Sequence, residues 1–215
     1  MKVNEGKTQI LCISAAANAT VGSYINASSR LKSDNQLKIL GFWFSDKPGV
    51  NLHVIKMEEK FRKRLWFLRH LKRSGMGNKD LLFMYLSVIR PVLDFASIAY
   101  HTLLTKDQTN RLETLQRCAF KIIYGYNCDY KTKLIETNVE CLEARREEMF
   151  VNFALKASAN PRVAESWFPK RPETPHFTRA PLLYEELRPK TNRLQNSPLF
   201  QMRKRLNDLN RQIYN

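Results

Sequence analysis

Cysteine is scarce in this chain of 215 residues. The four present, Cys12, Cys118, Cys128 and Cys141, lie far apart with no Cys-x-x-Cys pair, so neither a disulfide framework nor a zinc site is indicated. They read as reduced, intracellular thiols, which fits the nucleus or the cytoplasm. His53, His70, His101 and His176 are equally dispersed and make no metal-ligand spacing with them. No run of roughly eighteen apolar residues occurs, which excludes an ordinary transmembrane helix. Glu5 and Lys7 stand too close to the first short apolar run for a secretory signal. No membrane partner is expected.

Catalytic signatures are missing as well. The chain contains no Gly-x-x-x-x-Gly-Lys-Ser/Thr loop, Gly-x-Gly-x-x-Gly, Gly-x-Ser-x-Gly or His-Glu-x-x-His, the spacings that cradle phosphates, expose a nucleophile or bind zinc. Its seven aspartates include no adjacent pair. A two-metal phosphoryl-transfer centre needs carboxylates that hold cations a few ångströms apart, and none is in view, so no metal or other cofactor is expected.

Positive charge, by contrast, is abundant. Thirty-six Lys and Arg against twenty Asp and Glu give +16 and an isoelectric point near 9.9. Such an excess repels itself unless a polyanion offsets it, and phosphate backbones are the commonest offset. The 43% hydrophobic and 11% aromatic content is ordinary for a folded domain with a core.

The pattern along the chain is mostly helical. Residues 8–14, TQILCIS, and 37–44, LKILGFWF, are β-branched and aromatic runs of strand type, and the stretch between them reads as a long connection. Over 51–73, Val54, Met57, Phe61, Leu65 and Leu68 recur at three- and four-residue spacing on one stripe. The other faces carry Lys56, Lys60, Arg62, Lys63, Arg64, Arg69, Lys72 and Arg73 against Glu58 and Glu59. Trp66 lies off the stripe and is expected to pack under a neighbouring helix, with stacking on a base as the other reading.

Asn78 is the expected N-cap of a second helix, apolar on most sides, which Pro91 should kink or divide. Thr105 to Gln108 has the capping-box form ahead of a helix over 106–124, and Gly125 is placed to end it in a left-handed conformation. A short helix is expected over 130–136 and another over 141–158, with Leu142, Met149, Phe150, Phe153 and Ala157 turned inward. Seven of nine prolines fall between 161 and 198, predicting an extended tail with few contacts. Ser197-Pro198 then opens a last helix whose Leu199, Met202, Leu206 and Leu209 can dock on the body. The expected architecture is mainly α, a helical bundle with an N-terminal two-stranded β-hairpin and a Pro-rich tail. Its segments are 1–47 (hairpin), 48–158 (helical domain), 159–196 (Pro/Arg-rich extended segment) and 197–215 (C-terminal helix).

Several stretches in register resemble one family. VNEGKTQILCIS followed by LKILGFWF looks like the last two palm motifs of non-LTR retrotransposon reverse transcriptases, an Asn-x-x-Lys-Thr strand before a Leu-Gly hairpin that contacts the primer. LLFMYLSVIRPVLDFASIAY, RLETLQRCAFKIIYG, LEARREEMF and NSPLFQMRKRLN resemble the thumb and post-thumb segments of jockey-like LINE elements, in the same order. The resemblance covers essentially the whole chain.

It implies the end of a polymerase palm, a thumb and a tail. The family's metal-binding aspartates, which would hold Mg²⁺, lie upstream of the motif that Lys7 matches, so a chain of this extent is expected to be inactive as an isolated RNA-directed DNA polymerase. Lys7 matches a lysine that helps the leaving pyrophosphate as a proton donor, and without the metal site it is expected to act only as a surface charge. Gly41, in the primer-contacting turn, either admits a nucleic-acid backbone or is a strand bulge. A thumb helix that follows a duplex needs cations on one side and a packed stripe on the other, which selects Lys56, Lys60, Lys63, Arg64, Arg69, Lys72 and Arg73 as phosphate contacts. The expected partner is therefore a template–primer duplex, RNA or DNA. The alternatives are a folded transposon relic or a protein-interaction module, or the C-terminal part of a split RNA-directed DNA polymerase completed by an upstream fragment.

Overall fold

The computed structural model describes residues 9–11, 13, 32–47, 49–171, 182–185 and 188–214. Lys7 lies outside them. The protein is mainly α with a small antiparallel hairpin, as the periodicities predict. It divides into two compact units, residues 1–63 and 64–215, and the division falls within a single continuous helix.

In the first unit, β1 (Gln9–Ile10) pairs in parallel with β2 (Lys32–Ser33). The hairpin forms wholly within the second apolar run, from β3 (Gln36–Ile39) and β4 (Phe42–Ser45), with Gln36 opposite Ser45 and Ile39 opposite Phe42. Leu40 and Gly41 are the two loop residues, at φ +48° and +90°. Positive φ at both central positions is the primed turn whose twist matches that of the strands, and glycine at the second position makes it cheap. Gly41 is thus a turn residue and not a bulge, while Leu40 holds a left-handed conformation with 93% of its surface exposed.

The long helix α1 (Asn51–Arg73) contributes His53, Val54, Met57 and Phe61 to the buried residues of this unit. The Phe42 ring stacks on His53 with centroids 4.1 Å apart, and the Trp43 backbone N–H points at His53 Nδ1 at 3.4 Å. Burial lowers the His53 pKa from 6.5 to about 4, because desolvation disfavours the charged ring. An unfolded chain takes up this proton near pH 6.5 whereas the folded one resists it until about 4. The stability contribution is therefore complete above 6.5, falls through that window and levels off below it. Thermal unfolding of His53→Gln, which cannot titrate, should show a flatter pH dependence between 6.5 and 4 than the native chain; parallel curves would contradict this.

The second unit begins with the remainder of α1, which buries Leu65 and Leu68. After the Ser74–Gly77 corner, α2 (Asn78–Met84) runs into a π-helical turn over Tyr85–Ile89 and then α3 (Pro91–Asp94). The cap of α2 is Gly77, not Asn78, whose side chain instead accepts from Lys72. The stretch is divided at the proline, with a π-helical turn over Tyr85–Ile89 ahead of Arg90 and Pro91 at the first position of α3. In the widened turn Arg90 N–H bonds the Tyr85 carbonyl at 2.8 Å, which accommodates a residue without an amide donor that would otherwise crowd the preceding turn. The 41° bend comes later, between Asp94 and α4 (Ser97–Tyr100), at Ala96 with φ +55°.

A short 3₁₀ turn (His101–Leu103) leads to α5 (Lys106–Tyr124). The Thr105–Gln108 capping box is formed in both directions, at 3.2 and 3.0 Å. Gly125 ends α5 at φ +100° and ψ 164°, a region open essentially to glycine alone but not the expected left-handed helical one. Next come α6 (Tyr130–Glu136) and α7 (Leu142–Ala159). Gln116, fully buried on α5, ties these elements together. It accepts from Tyr85 Oη at 2.7 Å and donates to Tyr130 Oη at 2.9 Å and to the Glu140 carbonyl at 3.0 Å. Glu113 Oε2 accepts the Leu142 backbone N–H at 3.0 Å, capping α7 from a different helix.

The segment after Asn160 is not extended where the structure describes its start. Pro161–Trp167 forms α8, with Asn160 Oδ1 accepting the Arg162 N–H at 3.1 Å and Pro161 at the first helical position. Proline is favoured there because its missing donor has no intrahelical partner to lose. Then follow α9 (Asn192–Gln195) and α10 (Pro198–Tyr214). Met202 and Leu206 of α10 pack with Phe150, Ala154 and Ala157 of α7 and with Phe168. Glu147 on α7 accepts from Arg205 Nε at 2.5 Å and sits 2.7 Å from His101 Nε2. Burial pushes the Glu147 pKa up, but the hydrogen bonds from Arg205 and His101 outweigh it and hold the carboxyl below its usual range.

Candidate nucleic-acid interface

The seven cations selected on α1 separate into groups with different duties. Lys56 Nζ is 3.3 Å from Glu59 Oε2 one turn on, so part of its charge is met within the helix. Lys60 and Lys63 are exposed and make no ion pair among the described residues. With Lys56 they occupy positions i, i+4 and i+7, a single face opposite the buried stripe of the first unit. Gly41 serves the hairpin turn of the same unit.

In the second unit two of the cations are committed to main-chain oxygens. The Arg64 guanidinium donates to the Val88 carbonyl in the widened turn. Lys72 Nζ donates to Asn78 Oδ1 at 2.7 Å and to the Ile123 carbonyl at 2.9 Å. Ile123 lies in the last turn of α5, where carbonyls lack helical partners and a cation also meets the negative end of the helix dipole. Lys72 therefore joins the corner between α1 and α2 to the end of α5. It sits in line with Leu65 and Leu68, separated by the three- and four-residue steps that select the buried stripe.

Arg69 and Arg73 remain exposed without ion pairs among the described residues. They share their face with Trp66 and His70, at positions i, i+3, i+4 and i+7 from Trp66. Trp66 is 61% exposed, and its ring meets the His70 ring edge-on, with centroids 3.9 Å apart. The expectation that Trp66 packs under a neighbouring helix fails because its position turns away from the buried stripe. Phe67, 43% exposed, is adjacent in sequence.

This arrangement presents two guanidinium forks beside an indole face. Arginine forks match phosphate oxygens with two parallel hydrogen bonds, and an exposed aromatic offers a stacking platform that every base satisfies alike. The positions are held by a helix and not by a loop, so their spacing is fixed by the 3.6-residue period.

No cluster of three or more His, Cys, Asp or Glu side chains able to hold a metal occurs among the described residues. Cys118, Cys128 and Cys141 are free thiols. Several basic residues outside α1 have local roles. Arg117 lies over the Tyr130 ring at 5.3 Å. Arg145 Nε donates to Asp94 Oδ2 at 3.0 Å, and Arg90 Nε is 3.7 Å from the same oxygen. No protein family, curated protein or solved structure matches the chain.

Proposed function

We propose that the chain binds nucleic-acid duplexes without sequence preference through the exposed cations of α1, and that it performs no polymer synthesis alone. The observation that carries this reading is the exposed Trp66–Arg69–His70–Arg73 face, with Lys60 and Lys63 exposed nearer the start of the same helix. A net charge of +16 favours a polyanion, and the resemblance to reverse-transcriptase thumb segments makes a template–primer duplex the ligand of choice. Phosphate contacts position a protein on the duplex and carry no base information, so affinity should be indifferent to sequence.

Two RNA–DNA hybrids of equal length and unrelated sequence, labelled for fluorescence anisotropy, test the proposal at low salt. The expected result is binding to both, within about threefold of each other, since the electrostatic contribution is sequence-independent. Failure to bind either, or a strong preference for one, rejects it. In a primer-extension assay with Mg²⁺ or Mn²⁺ the purified chain should leave the primer unextended; templated incorporation would reveal a catalytic centre and overturn the second half of the proposal.

A further inference from the structure

The terminal helix carries a second basic feature that the duplex reading does not use. A cleft of about 580 Å³ lies along α10 and the chain that precedes it, within the usual size range of small-ligand sites. No residue of α1 lines it. Five cations do: Arg171 and Arg188 from the preceding chain, and Arg203, Lys204 and Arg211 from α10. Two carboxylates oppose them, Glu185 and Asp208, the latter 3.7 Å from Arg211. The cleft is thus strongly positive.

Arg203 is the built part of this site. The residue is buried, 7% exposed, and Nε donates to the Trp167 carbonyl at 2.6 Å. That bond fixes the plane of the guanidinium and leaves its two terminal nitrogens as donors. Burial lowers its pKa, and Glu185 partly counters this. A buried guanidinium anchored at one nitrogen is pre-organised, so little side-chain entropy remains to be lost on meeting an anion. Phe200, half-buried on the same face of α10 at i relative to Arg203 at i+3 and Lys204 at i+4, gives the cleft an aromatic wall.

We infer that this cleft is a separate phosphate-binding site that takes a nucleotide unit, its phosphate against Arg203 and Lys204 and its base against Phe200. The pairing of an aromatic wall with anchored and mobile cations selects a ligand that carries both a planar ring and a multiply charged anion. A simple dicarboxylate would leave Phe200 without a partner. The nucleotide unit arrives either free or as part of a single strand, and the recognising chemistry is shared.

The test uses the full chain with a fluorescent ribose-labelled ATP at low salt, competed by ATP, adenosine and short oligo(dT). ATP or the oligonucleotide should displace the probe while adenosine does not. Displacement by ATP at lower concentration than oligo(dT) identifies free nucleotide as the source, and displacement by oligo(dT) at the lower concentration identifies a strand. The double variant Lys204→Glu with Arg211→Glu alters two exposed side chains and should weaken probe binding by about tenfold or more, since charge-assisted contacts are lost. The milder pair Lys204→Ala with Arg211→Ala, checked by circular dichroism, should weaken it less in a folded protein. Arg69→Glu with Arg73→Glu should leave it unchanged, which keeps this site distinguishable from the α1 face. Absence of probe binding, equal displacement by adenosine, or wild-type affinity in the folded α10 variants would overturn the inference.

Discussion

Reversing Arg69 and Arg73 to glutamate should lower duplex affinity roughly 10²-fold, because two phosphate contacts are replaced by repulsion in a predominantly electrostatic interaction. Both side chains are exposed and make no ion pair among the described residues, so thermal stability should change little. The same reversal at Lys72 is a different experiment. Its Nζ holds the Ile123 carbonyl and the Asn78 side chain, and Lys72→Glu should destabilise the second unit by about 1–3 kcal/mol through lost charged hydrogen bonds. Trp66→Ala should act on a third axis. It should cost about 1–3 kcal/mol on substrates with unpaired bases and little on a blunt duplex, since stacking requires an accessible base face. Anisotropy with blunt and overhanging hybrids, read beside thermal unfolding, separates the three. Equal loss on both substrates for all three variants would dissolve the distinction between binding face and scaffold.

Arg146→Met should stabilise the protein, by about 1–4 kcal/mol on the precedent of buried charges replaced by apolar residues of similar volume. Arg146 is 1% exposed, and Nε and both terminal nitrogens have no hydrogen-bond partner among the described residues. A guanidinium in that state bears most of its desolvation cost without compensation. Methionine keeps much of the unbranched stem, and its flexibility fills an irregular space. In a domain of this size the gain should raise the unfolding temperature by several degrees, measured by calorimetry at neutral pH. A loss of stability instead would mean that the charge is satisfied by an internal ion or water and is needed where it is.

Arg146 also shows where sequence patterns stop being informative. The four-residue step that joins Leu142, Phe150 and Ala154 passes through Arg146, and all four are buried. Periodicity therefore did mark the position, but a rule that looks for apolar side chains discards a charged one, and Arg146 reads instead as one more member of a surface ion-pair network. Lys72 is the same case on α1, in line with Leu65 and Leu68. On both helices the spacing is the better guide to direction and residue type the better guide to cost.

Elements with strong local grammar were legible. The α1 stripe of Val54, Met57, Phe61, Leu65 and Leu68 is buried throughout, and the Thr105–Gln108 box forms as its spacing requires. The β-structure was only half legible. Two apolar runs were present, but the partner of the first is the short segment Lys32–Ser33, and the hairpin lies within the second because Leu40-Gly41 turns the chain in two residues. Pairing is a non-local choice that composition does not specify. Pro161 misled in the opposite way. Proline density suggested an extended chain, whereas one proline behind an Asn cap starts a helix. Of the candidate interface, the cations were visible from sequence, but their division between binding and scaffold depends on carbonyl positions 24 and 51 residues away.

The most direct test of the central claim is the salt dependence of duplex affinity. If exposed cations of α1 neutralise phosphates, the logarithm of the association constant should fall linearly with the logarithm of salt concentration. The slope should be about −0.9 for each phosphate contacted on a DNA duplex. Arg69 and Arg73, which share one face, contribute about −2 to the slope, and Arg69→Ala with Arg73→Ala should make it shallower by that amount. A slope near zero, or one that the double substitution leaves unchanged, would contradict phosphate binding by this helix.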